Sequence, residues 1–129
     1  MAALYSRSSS DAETVSFDGR WVAQLASKYV GITDPLQRAD NGSHTFLARD
    51  IIAESDGLAA RVSEARVVLL NSTTYGKRFS HDDEPLWVTM ALSESFTSKG
   101  AVLRWCATQF PELAGDELSN QCMPNRLNP

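Results

Sequence analysis

"ARVVLLN", residues 65–71, can be read two ways, and the fold class turns on the choice. Val67 and Val68 are β-branched and the apolar run is short, which suits a strand. The same run also closes a helical series. From Phe46 to Leu70, the positions Leu47, Ile51, Leu58, Val62, Ala65 and Leu69 follow helical steps once Ser55 is allowed on the stripe. Asp56-Gly57 interrupts that series, so the helical reading divides it into two helices, with Ser55 or Asp56 capping the second. Carried along the chain, this reading predicts a mostly α protein, a compact bundle of about five helices with a long loop near 71–83. The alternative is α+β, with short strands near 44–49 and 65–71 after the "DNG" turn at 40–42.

The flanking stretches fit the helical reading. "SFDGRWVAQLASKYVG", 16–31, places Trp21, Leu25 and Tyr29 on one face with Val22, Ala26 and Val30 beside it, Asp18 as N-cap and Gly31 past the end. "TDPLQRAD", 33–40, has a cap and an early proline, enough for one or two helical turns. "DDEPLWVTMALSESF", 82–96, opens with acids at the positive end of a helix dipole and Pro85 near the first helical position. Its apolar residues, Leu86, Trp87, Val88, Met90, Ala91, Leu92 and Phe96, leave almost no polar face, which implies a helix central to the core or covered by another chain. "AVLRWCATQF", 101–110, is a further helix stopped by Pro111. A short one follows to Gln121, weakened by Gly115.

Residues 1–16 are Ser-rich and aperiodic and are expected to form a disordered leader, residues 17–121 a single globular domain, and residues 122–129 an irregular tail. The chain has 129 residues, 43% hydrophobic and 22% charged, so one domain with its own core is expected. Twelve basic residues against sixteen acidic ones give a net charge of -4, which disfavours nucleic acid and anionic membranes as partners. Cys106 and Cys122 fit no metal spacing, and Cys106 reads as a buried free thiol. Without a signal-peptide pattern or a long apolar run, a cytoplasmic, reduced protein is expected.

Three functional readings compete. "FTSKGAVLRW", 96–105, has half of a helix-turn-helix: Thr97 or Ser98 as cap, Val102 to pack beneath, and Lys99 and Arg104 to meet DNA. The preceding half does not match, since Phe96 stands where the turn glycine belongs and Leu92 where a small residue belongs. Residues 84–129 also carry Lys99, Arg104 and Arg126 against Glu84, Glu94, Glu112, Asp116 and Glu117. His44, His81, Asp82 and Asp116 resemble, in order, the ligands of the HD-type phosphohydrolases, a resemblance that implies a divalent metal activating water. Asp82 and Asp83 are equally explained as helix N-terminal acids. No phosphate loop or reactive-cysteine setting occurs, so no cofactor is expected.

The remaining reading is a non-enzymatic protein–protein interaction module, such as an adaptor, inhibitor, assembly factor or oligomeric subunit. Its partner is another protein, with a homo-oligomer as one form of that. Tyr75, Lys77, Arg78 and Phe79 on the long loop "NSTTYGKRFSHDD", 71–83, are the candidate contacts, because aromatics among basic residues suit interfaces. Trp87 and Met90 are the second choice, as a self-association face.

Overall fold

Every residue from Trp87 to Leu92 is buried. A helix buried all round needs neighbours on every side, whereas a six-residue strand needs only one layer above it and one below. The computed structural model, which describes residues 1–129, adopts the second solution. The mostly α expectation is therefore corrected: the protein is α+β, built on an antiparallel sheet.

In chain order the elements are α1 (Ala2–Ala12), β1 (Arg20–Lys28), α2 (Ala48–Arg61), β2 (Arg66–Asn71), a single 3₁₀ turn (Ser72–Thr74), β3 (Ser80–His81), β4 (Glu84–Pro85), β5 (Trp87–Leu92), α3 (Lys99–Gln109), α4 (Gly115–Gln121) and β6 (Met123–Leu127). The main sheet has the order β2-β5-β1-β6, antiparallel throughout, and β3 and β4 form a separate small hairpin. Helical crossovers join β1 to β2 and β5 to β6, each skipping one strand. Leaving aside α1 and the hairpin, this is the split βαβ, or ferredoxin-like, connectivity.

Cross-strand pairs show which residues share a face. Ala23, Ala26 and Lys28 of β1 lie opposite Ala91, Thr89 and Trp87, while Gln24 and Ser27 lie opposite Met90 and Val88. The register shifts between Gln24 and Ala26, leaving Leu25 as the bulged residue. Leu25 packs with Ala23 and Ala26 in the core under the helices. The bulge therefore places adjacent residues on one face and breaks the period of two, so that 16–31 resembles a helix. The expected helices at 16–31, 33–40 and 82–96 are thus replaced by β1, an irregular connection and β5. Of the alternative's two strands, 65–71 is present as β2. Residues 44–49 contribute only a bridge between Thr33 and Thr45 and the start of α2.

One face of the sheet meets α2, α3 and α4 through Leu58, Val62, Val102, Trp105, Phe110 and Leu118. On the other face Val22, Val68, Leu70, Val88, Met90 and Leu127 are roofed by Val15, Phe17, Tyr75 and Leu86. The residues expected to form a disordered leader supply α1 and part of this roof. Leu4 is fully buried beside Leu69 and Trp87, and the Asp11 carboxylate accepts the Leu69 backbone N–H at 2.8 Å. That hydrogen bond occupies the outer edge of β2, a position where an exposed strand would invite pairing with another chain. The expected irregular tail is β6. Cys106 is buried as expected but is not a free thiol: it forms a disulfide with Cys122, tying α3 to the start of β6.

Some local expectations hold. Ser98 caps α3 by accepting the Ala101 N–H at 3.1 Å, and α4 follows Pro111, with Gly115 at its first turn in a left-handed conformation (φ 58°). The expected break at Asp56-Gly57 is absent, because α2 runs straight through it. Gly57 lies mid-helix, with nothing within 4 Å of where a Cβ would stand. Gly57→Ala is therefore expected to raise stability by about 0.5–1 kcal/mol in urea denaturation. A loss of stability would mean that the chain bends there, as two separate helices require.

Candidate functional site

The β2–β5 connection, 72–86, is long but tightly held. Asn71 caps its 3₁₀ turn by accepting the Thr73 N–H at 2.9 Å. The Ser72 hydroxyl donates to the Phe79 carbonyl at 2.6 Å and accepts the Leu86 N–H at 2.8 Å, so one side chain ties the start of the connection to its middle and to its end. Tyr75 packs its ring 5.5 Å from that of Phe17, and burial pushes its phenol up to about 12. Gly76 takes a left-handed φ of 56° and donates its N–H to the carbonyls of Asn128 and Pro129 just past β6. Arg78 bends back likewise, with φ 53° and its guanidinium donating to the Gly76 carbonyl at 2.9 Å.

Between this fastened loop and the sheet lies a groove of about 420 Å³. Gln24, Ser27 and Val88 line it from the sheet, Tyr75, Lys77, Phe79 and Leu86 from the loop, and Met123, Asn125, Arg126 and Asn128 from β6 and the residue after it. Phe79 is 61% exposed and Met123 43%, leaving unburied apolar surface beside the opening. No aspartate, glutamate, histidine or cysteine lines the groove, although the chain has sixteen acidic residues. Asp82, Asp83 and Glu84 lie in the hairpin beyond Phe79 and Leu86.

Three of the expected contact residues, Tyr75, Lys77 and Phe79, come together here, and Arg78 is exposed on the adjoining turn. Trp87 and Met90 do not join them. They are 1% and 0% exposed, on opposite faces of β5, so the expected self-association face is core. Gln24, Met123 and Asn125 were missed because they sit in segments read as a helix and a tail. It takes the β1–β6 pairing, which sets Gln24 opposite Met123 and Val22 opposite Asn125, to bring them together.

A second cluster centres on Lys28, 2% exposed at the end of β1. Its ammonium group donates to both carboxylate oxygens of Glu54 on α2 at 2.9 Å and to the Gln37 side-chain carbonyl at 2.5 Å, and lies 4.5 Å from the Phe46 ring centroid. Gln37 then donates to Gln121 on α4 at 3.2 Å, and Gln121 to the Leu25 carbonyl at 3.0 Å. Burial holds the Glu54 carboxyl above its usual range, opposed by the Lys28 charge. Each ammonium proton has an acceptor, so the cluster is a closed tie between four parts of the fold rather than a poised amine.

The other two functional readings lose their geometry. α3 is preceded by the strand β5, so 96–105 lacks the first helix of a helix-turn-helix. His44 donates from Nδ1 toward the Asp34 and Gln37 carbonyls, 2.9 and 2.8 Å away, while His81 stacks on Tyr29 with centroids 3.9 Å apart. No three metal-binding side chains gather, so His44, His81, Asp82 and Asp116 do not form the HD-type centre. No helix is long and apolar enough to cross a membrane. Neither a protein-family model, nor a curated protein, nor a solved structure matches this chain.

The Lys28 cluster carries a test of its own. Glu54→Leu strands a buried charge and is expected to cost about 3–5 kcal/mol in urea denaturation, whereas Lys28→Met with Glu54→Leu should restore most of that loss. A double variant as unstable as the single one would show that the ion pair itself stabilises the fold.

Proposed function

We propose that this chain is a non-enzymatic protein-binding module that holds a segment of a partner protein in the groove between the 72–79 loop and β6. The carrying observation is the groove itself: about 420 Å³, with Phe79 and Met123 exposed beside it and a wall fastened by the Ser72 and Gly76 hydrogen bonds. Such a cleft accepts side chains with little reorganisation, which favours affinity. Its lining offers contact surface and hydrogen bonds, and its Ser27, Ser72, Tyr75 and Lys77 side chains have no imidazole or carboxylate in the lining to act as a base beside them.

Phe79 serves as the apolar anchor, Tyr75 as the wall behind it, and Lys77 and Arg78 as the charged rim. Trp87 and Met90, both buried in the core, have no part in this reading. The Cys106–Cys122 disulfide fits an oxidising compartment better than the cytoplasmic setting expected from the sequence.

Selection of a displayed random-peptide library against the folded protein tests the proposal. Peptides should be enriched that compete with one another and bind Phe79→Ser at least tenfold more weakly, with the circular dichroism of that variant unchanged. Failure to enrich any peptide, or enriched peptides that ignore Phe79→Ser, would overturn it.

A further inference from the structure

An extended segment can meet a sheet by adding its backbone to an open edge or by being read through side chains. Both edges of this sheet resist strand addition. At β2 the Leu69 N–H is taken by Asp11. At β6, Pro124 has no N–H, and the N–H of Arg126 is accepted by the Asn125 side-chain oxygen at 2.8 Å. Strand addition is thus disfavoured, and the side chains that line the groove are left as the principal means of reading an occupant.

The same hydrogen bond sets the polarity of that lining. Because Asn125 Oδ1 accepts from Arg126, its amide nitrogen faces the other way and donates to Gln24 Oε1 at 3.0 Å. That interaction engages the Gln24 oxygen and leaves the Gln24 amide nitrogen as an unengaged donor. Lys77 adds an ammonium group that forms no ion pair, and no carboxylate lines the groove. The acceptors of Gln24 and Asn125 are used internally and donors are left over, in a net-acidic chain.

We infer that the groove recognises an extended peptide segment in which an acidic side chain stands next to an apolar one. The carboxylate accepts from Gln24 and Lys77, and the apolar side chain packs between Phe79 and Met123. Hydrogen bonds to a charged acceptor are stronger than neutral ones, and Lys77 steers an acidic segment toward the groove. The inference rests on the protein-binding reading above and names the chemistry of the partner.

The test uses three fluorescein-labelled octapeptides, built on an apolar-acidic core and identical except for Glu, Gln or Lys at the central position. Fluorescence polarisation is measured against the wild-type chain, Lys77→Glu and the near-isosteric Gln24→Glu. The Glu peptide should bind wild type at least tenfold tighter than the Gln peptide, and more weakly as salt rises. Each variant should lose about tenfold for the Glu peptide, and the doubly substituted chain should prefer the Lys peptide. Equal binding of all three peptides, lost in Phe79→Ser, would overturn the acidic preference and leave the protein-binding reading standing. No binding by any of them, together with a failed library selection, would overturn both.

Discussion

β5 is the strand on which the rest of the structure depends. It lies between β2 and β1, and its six side chains divide between the two faces: Trp87, Thr89 and Ala91 toward the helices, Val88, Met90 and Leu92 toward the opposite core. A strand buried on both faces requires two covering layers. α2, α3 and α4 supply one. The other comes from irregular chain, the 12–18 segment and the 72–86 loop, whose Val15, Phe17, Tyr75 and Leu86 close over the sheet. The groove is a consequence of that arrangement, because a loop roofs a sheet less completely than a helix does. It remains between the 72–79 loop and β6.

The polar interactions follow the same logic. Lys28 sits opposite Trp87 and reaches Glu54 and Gln37, so the end of β1 is bound to α2 and to the irregular 29–47 connection. Gln37 and Gln121 extend the tie to α4. A buried ion pair of this kind specifies one arrangement at a cost in desolvation. At the two sheet edges, Asp11 and Asn125 each occupy a backbone N–H with a side chain. The sheet is thus finished as a four-stranded unit, and what it offers a partner is a lined recess instead of an unpaired strand.

Part of this was legible in the sequence. Ser98 as cap, the helix after it and the burial of Cys106 follow from local chemistry, and the loop residues Tyr75, Lys77 and Phe79 do line the groove. The strands were hidden for two physical reasons. In β1 the bulge at Leu25 breaks the period of two, and Trp21, Leu25 and Tyr29 just past the strand fall four apart, a spacing that a helix face shares. In β5 the alternation vanishes because both faces are buried, and a continuous apolar run looks the same in a helix and in a central strand. The short length of that run and the β-branched Val88 were the available signals. The contributions of Gln24 and Asn125 could not be read locally, since their hydrogen bond joins residues about a hundred positions apart. The disulfide spans sixteen positions, but it pairs Cys106 in α3 with Cys122 at the end of α4, and that pairing depends on how the two helices turn back on each other.

The most direct measurement is the pattern of backbone nuclear Overhauser effects from residues 87–92 in the isotope-labelled protein. A central antiparallel strand predicts strong contacts from each α-proton to the next amide, together with cross-strand contacts from 87–92 to both 66–71 and 23–28. Strong sequential amide–amide contacts through Trp87–Leu92, with no cross-strand partners, would show a helix there. That result would remove the sheet, its two faces and the groove together.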